Sequence, residues 1–547
     1  MKYLRFAGWF LGAAIVILSF IFMFNVKGDA HAMILGGMQY VALFCAFFIL
    51  LGKICKSALL ASTVMVAVYF TDRLYLHFLK KRIFASDFYV MFDPNNWGVV
   101  LQYKELLGAL VLAALVFALV AASFWRAKRW GVKSRIAAAL VLVAVVITHG
   151  KIIKDEGFKV AWTKTFPELR RTYMNISMSM GELEYKKPSF GNDYKYFADK
   201  LTSVEPYESS NLKPNLVLWL QESTFDASLF DANLTQASMF APVANSKFRS
   251  LNRVHTFGGG TLKSEFEILT GLNNEDFGPQ GTAVYYLVTP HIKYSLPKLL
   301  KKHGYYVVAL NPFQPGNYNS KNAYADMGFD EFIHPVDLGY TDETGETRVR
   351  NLWYISSMDI AKYTQKIIEK FKDKQPLFIF ALTMNEHGPY ERASAVKYGL
   401  DAHYPKERAL ELTDYYDRQL ELSAAVENMD EYLQKSGRDY VFAYYGDHQA
   451  HFSGEVRYDF KFKEPNLITG LYARGSEGVK RIERDMNALG ELSLNPSALL
   501  EMMQIEPDEF FAANYAMRKL CESVDDCEDR ELARSYKSYI YDYLYNK

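Results

Sequence analysis

Cysteine is scarce in this chain: 4 of 547 residues. Cys45 and Cys55 fall in or beside apolar stretches and read as inert thiols. Cys521 and Cys527 are left, with no histidine beside them, so a cysteine metal site is not expected. In an oxidising compartment these two can close one short loop. The helical character of that segment is the geometric obstacle to it. A surplus of charge is lacking as well: 62 Lys and Arg balance 62 Asp and Glu. Bulk charge therefore marks no partner, and a nucleic acid is not expected. Internal repeats and low-complexity tracts are also missing, so nothing competes with a reading as ordinary folded domains.

Long hydrophobic runs, by contrast, fill the first 150 residues or so. Five stretches, at residues 3–26, 32–52, 57–79, 106–125 and 136–148, are long enough or nearly so to cross a bilayer. The first does not read as a cleaved signal peptide, because four more follow and no small-residue cleavage site is evident. The third carries Asp72 and Arg73, an interfacial ion pair or, alternatively, headgroup-handling groups. Lys2, Arg5, Lys53, Lys56, Arg126, Lys128, Arg129, Lys133 and Arg135 all fall on one side if the N-terminus is cytoplasmic. Lys80-Lys81-Arg82 breaks that pattern and is assigned to an amphipathic surface segment ahead of the aromatic stretch 88–101. Everything after about residue 150 then lies outside the cytoplasm.

The expected organisation is a transmembrane domain of about five helices over 1–150 and a juxtamembrane helical connector over 151–210. An α/β domain over 211–506 and a C-terminal helical tail over 507–547 complete it. Short continuous apolar runs at 215–220, 305–310, 377–382 and 440–445 have the character of strands buried on both faces. Helical patterns at 295–303, 360–372 and 410–435 alternate with them, which predicts a mostly parallel sheet covered by helices. Ligands of such sheets bind beyond the carboxyl ends of the strands. Three runs end there in polar residues: Gln221-Glu222-Ser223, Thr383-Met384-Asn385-Glu386-His387 and Gly446-Asp447-His448-Gln449.

Asp447 and His448 can share one cation if the backbone turns, and Gly446 permits the turn. Read alone, the pair is equally a hydrogen-bonded loop. Glu222 is the matching carboxylate, with Ser223, Thr224 and Asp226 beside it as helix-cap residues. Gly258-Gly259-Gly260 delivers Thr261 to a helix start. Thr261 reads there as an N-cap and, compatibly with that, as a nucleophile that a cation activates by stabilising the alkoxide. Oxygen donors with one nitrogen suit Mn²⁺, Mg²⁺ or Zn²⁺. His387 is the candidate acid or phosphate binder; His255 and His451 are weaker candidates, and His303 reads as a helix-end residue.

The order strand–Glu222, Gly-Thr261, His387, Asp447-His448 resembles the alkaline phosphatase (sulfatase-like) superfamily. The blocks Gly258-Gly259-Gly260-Thr261…Ser264-Glu265-Phe266-Glu267 and Tyr444-Tyr445-Gly446-Asp447-His448 resemble its lipoteichoic acid synthase branch, which includes membrane phosphoglycerol transferases. The resemblance implies an extracytoplasmic α/β domain of alkaline phosphatase-like fold on a five-helix transmembrane domain. It places the chain in a bacterial cytoplasmic membrane with the catalytic domain on the periplasmic side. It implies phosphoglycerol transfer from a phospholipid (phosphatidylglycerol or phosphatidylethanolamine as donor) through a phosphothreonine to an extracytoplasmic glycan or glycolipid. By motif position, Glu222, Thr261, Asp447 and His448 would hold one divalent cation, usually manganese, and His387 would contact the transferred phosphate.

The family's Trp-Asn-Arg run corresponds here to Tyr318-Asn319-Ser320, with Lys321 next to it. Tyr318, Asn319 and Lys321 are thus the candidate substrate-binding residues, and a lysine replaces the bidentate fork of an arginine. Sulfatases proper carry Pro and Arg two and four residues after the nucleophile, where this chain has Lys263 and Glu265. Lipid A phosphoethanolamine transferases share the architecture but are richer in disulfides. A phosphoethanolamine transferase, a phosphodiesterase and a non-catalytic membrane sensor are the alternative readings.

Overall fold

The computed structural model describes residues 2–24, 29–97, 129–164, 172–225, 245–452 and 462–546. Positions 343, 344, 346, 375, 486 and 487 are excepted, and five isolated positions between 111 and 122 are added. The chain divides into two compact units, Met1–Glu184 and Tyr185–Lys547.

The first unit is helical: α1 (Lys2–Phe24), α2 (Ala30–Leu51), α3 (Ile54–Leu79), α4 (Val132–Ile152) and α5 (Thr172–Ser179). Among the described residues, α2, α3 and α4 are long and apolar enough to cross a membrane, and α1 contains a shorter apolar run, Phe10–Phe24. The expected stretch 106–125 lies almost wholly outside the described residues, as does Asp226 farther on. Asp72, on α3, is fully buried, and the expected pair with Arg73 is present at 3.5 Å. Arg82 binds its Oδ2, the Ile83 amide donates to Oδ1 at 3.0 Å, and Thr172 donates to Oδ2 at 2.7 Å. Arg82 is buried here and not on an amphipathic surface, because burying Asp72 requires a paired cation. α5 is buried along its whole length, its Met174 and Met178 packing with Ala32 and Leu35 of α2.

The second unit is built on one eight-stranded sheet of order β4-β3-β5-β1-β6-β7-β2-β8. The strands are β1 (Asn215–Gln221), β2 (Phe248–Arg253), β3 (Tyr306–Leu310), β4 (Glu331–Ile333), β5 (Leu377–Leu382), β6 (Tyr440–Gly446), β7 (Ile468–Gly475) and β8 (Leu489–Glu491). The four expected runs are β1, β3, β5 and β6, adjacent at the centre of the sheet and buried almost throughout. They pair in parallel; β7 alone runs against its neighbours β6 and β2. Two reversals cancel, so β2 ends on the same rim as β6. Helices α6 (Thr261–Thr270), α7 (Ser357–Lys370) and α8 (Lys406–Lys435) belong to this unit. So do α9 (Asn495–Met503) and α10 (Glu509–Cys521). The Cys521–Cys527 disulfide forms, with a Cα separation of 5.6 Å. α10 ends at Cys521 and Glu522 adopts φ 61°, so the chain turns out of the helix in time to close the loop.

Candidate metal centre and nucleophile

Register brings the first two side chains together. Gln221 of β1 lies opposite Gly446 of β6, so Glu222 and Asp447, one residue farther on, leave the sheet side by side. Leu220 lies opposite Leu382 of β5, which sets Thr383 beside them. The Thr383 hydroxyl accepts the Glu222 amide hydrogen at 3.3 Å. Gly446 is required by close approach and not by a left-handed backbone: a Cβ there would overlap the Thr224 carbonyl oxygen.

Thr261 enters from the end of β2 through the glycine turn. Gly260 has φ 84°, and a Cβ on it would meet the Thr256 hydroxyl at 2.8 Å. Gly260 is the N-cap of α6, which makes Thr261 the first helical residue and leaves its hydroxyl free of a capping role. That hydroxyl donates to Glu222 Oε2 at 3.1 Å. The Ser264 hydroxyl, one turn on, donates to the Asp447 carbonyl at 2.5 Å and pins α6 to the end of β6.

Glu222, Asp447 and His448 are all buried, and one ligand atom from each lies within 4.8 Å of the others. Asp447 Oδ1 accepts the Ser223 and His448 amides at 2.8 and 2.9 Å. Among the described residues, Asp447 Oδ2 has no hydrogen-bond partner. His448 Nδ1 faces the Gln449 carbonyl at 3.0 Å and is thereby the protonated nitrogen. His448 Nε2 is buried without a hydrogen-bond partner among the described residues, 3.2 Å from Asp447 Oδ2 and 3.4 Å from Glu222 Oε1. Two buried carboxylates and a bare imidazole nitrogen converging on one point are a donor set for a divalent cation. Without one, burial and the facing Glu222 charge push Asp447 up to about 7.

His387 follows β5 and is half-buried, its ring edge-on to Trp353 at 5.0 Å. Its Nδ1 faces the Gly388 carbonyl at 2.5 Å. Enclosure of the ring lowers it to about 4, outweighing that hydrogen bond. His387 is therefore neutral near pH 7, with Nε2 as its free lone pair. Arg418 of α8 holds the loop by donating to the carbonyls of Asn385, His387 and Pro389, while Asp414 accepts from its guanidinium.

Tyr318 and Asn319 both sit in left-handed backbone in a short turn. The Asn319 amide donates to the Tyr285 carbonyl at 2.8 Å and its oxygen accepts from Asn322, so this side chain is engaged within the fold. Lys321 is exposed, and Ser320 is buried with its hydroxyl toward the Pro315 carbonyl. His303 caps its helix, as its position suggested.

Four residues take roles that sequence reasoning did not assign: Arg418, Thr383, Ser264 and Glu265. Arg418 could have been noticed only from its i,i+4 spacing to Asp414. Thr383 and Ser264 carry no sequence signal beyond lying near the right strand and helix ends. Glu265, buried on α6, accepts from Tyr285 at 2.7 Å and from Tyr324, and burial raises it to about 7 despite those bonds.

The Sulfatase family model matches residues 214–486, and the chain belongs to the sulfatase family. An uncharacterized protein of Haemophilus influenzae is 33% identical over 502 residues, covering 88% of this chain and 90% of that protein. The phosphoglycerol transferase GacH of Streptococcus pyogenes, solved with sn-glycerol-1-phosphate, is similar in fold. It has a TM-score of 0.51 and 16% identity over 66% of this chain and 95% of that one. The integral membrane lipooligosaccharide phosphoethanolamine transferase A of Neisseria meningitidis is similar over 92% of this chain and 95% of its own, with a TM-score of 0.50 and 12% identity.

Proposed function

We propose that this protein is a membrane-bound, metal-dependent phosphotransferase. It moves a substituted phosphate, phosphoglycerol in the first instance, from a phospholipid through Thr261 to an extracytoplasmic glycan. The observation that carries the reading is the Thr261 hydroxyl, uncovered at a glycine turn and 3.1 Å from one of two buried carboxylates that converge on a bare imidazole nitrogen. Glu222, Thr261, Asp447 and His448 would hold the cation, with Mn²⁺ the expected ion and Mg²⁺ or Zn²⁺ chemically admissible. When bound, it supplies charge stabilisation to the hydroxyl and to the phosphoryl oxygens.

The remaining work falls to the chain. Thr261 Oγ1 loses its proton toward Glu222 Oε2 and attacks phosphorus. The bond from phosphorus to the glyceride oxygen breaks, and diacylglycerol leaves as its oxygen takes a proton from water. In the second half, an acceptor hydroxyl gives its proton to His387 Nε2 and attacks the phosphothreonine; the bond from phosphorus to Thr261 Oγ1 breaks, Oγ1 takes back the proton held on Glu222, and His387 releases its proton to water. A phosphoethanolamine headgroup fits the same steps; the exposed Lys321 in place of an arginine fork leaves the headgroup contact to Tyr318 and a point charge, Asn319 being engaged within the fold. With water as acceptor the protein is a phosphodiesterase.

The purified protein with Mn²⁺ and labelled phosphatidylglycerol or phosphatidylethanolamine should release diacylglycerol and retain label on Thr261. The substitution Thr261→Ala should abolish both. Turnover by Thr261→Ala equal to wild type would sink the mechanism. Products formed with and without added glycans separate transfer from hydrolysis.

A further inference from the structure

A second buried cluster lies behind α6. His255 is 3% exposed. Its Nδ1 lies 2.6 Å from Glu267 Oε1, and its Nε2 lies 2.9 Å from Asp525 Oδ2. Ionised carboxylates only accept, so both ring nitrogens carry hydrogens and the ring is an imidazolium. Burial opposes that charge, but Glu267 and Asp525 outweigh it and hold His255 well above its ordinary value.

The two partners come from separate places. Glu267 is in the second turn of α6. Asp525 is inside the loop closed by Cys521 and Cys527. Glu491 fixes that loop: its Oε2 accepts from Ser523, Val524 and Asp525 at 3.1, 2.6 and 3.1 Å. Lys537 balances the far side, 3.4 Å from Asp525 and 2.6 Å from Asp276. His255, Glu491 and Asp525 also have the spacing of a cation site. Glu491, however, is already saturated by donors and Lys537 faces Asp525, so a proton on His255 suits the cluster better than a metal.

His255 and Glu267 bracket the nucleophile. One precedes the glycine turn and the other follows Thr261 by six residues, so their bond closes a ring of chain with Thr261 at its middle. The same turn is tied to the proposed metal centre, because the Gly258 amide donates to the Gln449 carbonyl at 3.2 Å. We propose that His255 is a positioning residue: its imidazolium anchors the Thr261 segment to the disulfide-closed loop 521–527, so the nucleophile is placed correctly only while that loop is closed. The proposal rests on Thr261 being the nucleophile.

The test uses full-length protein in nanodiscs with Mn²⁺ and compares wild type with His255→Gln, Asp525→Asn, Asp525→Glu and the double change Cys521→Ser/Cys527→Ser. Hydrogen exchange should lose protection across residues 256–270 in His255→Gln, Asp525→Asn and the cysteine variant, with the strand β5 amides unchanged. Turnover of labelled phospholipid should fall roughly ten- to hundredfold, as misplacement of a reacting group does, while KM and the Mn²⁺-induced rise in Tm hold. Asp525→Glu should recover part of the rate. Combining His255→Gln with Asp525→Asn should cost no more than His255→Gln alone, since both cut one tie. Unchanged exchange over 256–270 in folded variants overturns the proposal, as do fully multiplicative rate losses. A second metal ion per chain that His255→Gln removes also overturns it, in favour of a cation site. If wild type itself turns over no phospholipid, the transferase reading fails, and the exchange data still decide the tie.

Discussion

Thr261 is one threonine among many, and its distinction is what surrounds its hydroxyl. The hydroxyl is not spent on capping α6, and it points at a carboxylate whose neighbour is a second buried carboxylate. Such a pair is unfavourable until a cation joins it. Opposite effects should follow from Asp447→Asn in the presence and absence of metal. In metal-free protein at pH 8, above the value of about 7 to which Asp447 is pushed, the change removes one of two facing charges and should raise Tm. With Mn²⁺ at a hundredfold over its Kd, wild type should gain about 2.7 kcal/mol and the variant little. Thermal melts with chelator and with Mn²⁺ measure both. A rise with Mn²⁺ as large in the variant as in wild type would remove Asp447 from the ligand set.

At the scale of elements, the loop after β5 combines an inward acid with a clamped backbone. Glu386 is fully buried, its oxygens accepting from Ser357 and, at 2.6 Å, from Thr383. Burial raises it from its ordinary 4.5 to about 7, which those hydrogen bonds only moderate. The folded state thus prefers the protonated acid. Its contribution is fully present below about pH 4.5 and is lost as pH rises through 7. Glu386→Gln should therefore flatten the fall in Tm between pH 5 and pH 8, an effect of up to about 3 kcal/mol for this shift. Parallel melts of the two proteins over that range read it directly, and identical slopes would refute the assignment.

The same scale shows which elements the sequence made legible. β1, β3, β5 and β6 are continuous apolar runs because they lie in the middle of a sheet covered on both faces. β2 reads Phe-Arg-Ser-Leu-Asn-Arg and β7 contains Thr469, Gly470 and Arg474. Their polar residues are satisfied by distant partners, as when Glu427 and Asp430 accept from Arg474. No local pattern announces such strands. The short β4 and β8, three residues each, are defined by pairing alone.

For the whole molecule, the division at Glu184 and Tyr185 gives a testable separation of roles. Residues 185–547 contain the entire sheet and every proposed metal ligand. Expressed alone in an oxidising compartment, this fragment should unfold in one cooperative transition that Mn²⁺ shifts upward. If the apolar helices of the first unit serve access to lipid, the fragment should act on a soluble short-chain phospholipid while losing most of its rate on vesicles. Equal rates of fragment and full chain on vesicles would show that those helices only anchor.

Legible in the sequence alone were the apolar helices α1 to α4, the four central strands, and the polar residues waiting at the strands' carboxyl ends. Those features are local: each follows from the hydrophobicity and periodicity of a short stretch. It also offered the glycine turn ahead of Thr261 and the neighbouring cysteines, as possibilities whose use depended on surroundings. The tertiary structure decided that β1 lies between β5 and β6, which brings Glu222 beside Asp447 although Ser223 and Asp447 are 224 residues apart. It alone joined His255 to Asp525 across 270 residues. Strand order and burial arise from packing the whole sheet at once, and a buried carboxylate reveals its partner only when the chain has closed around it.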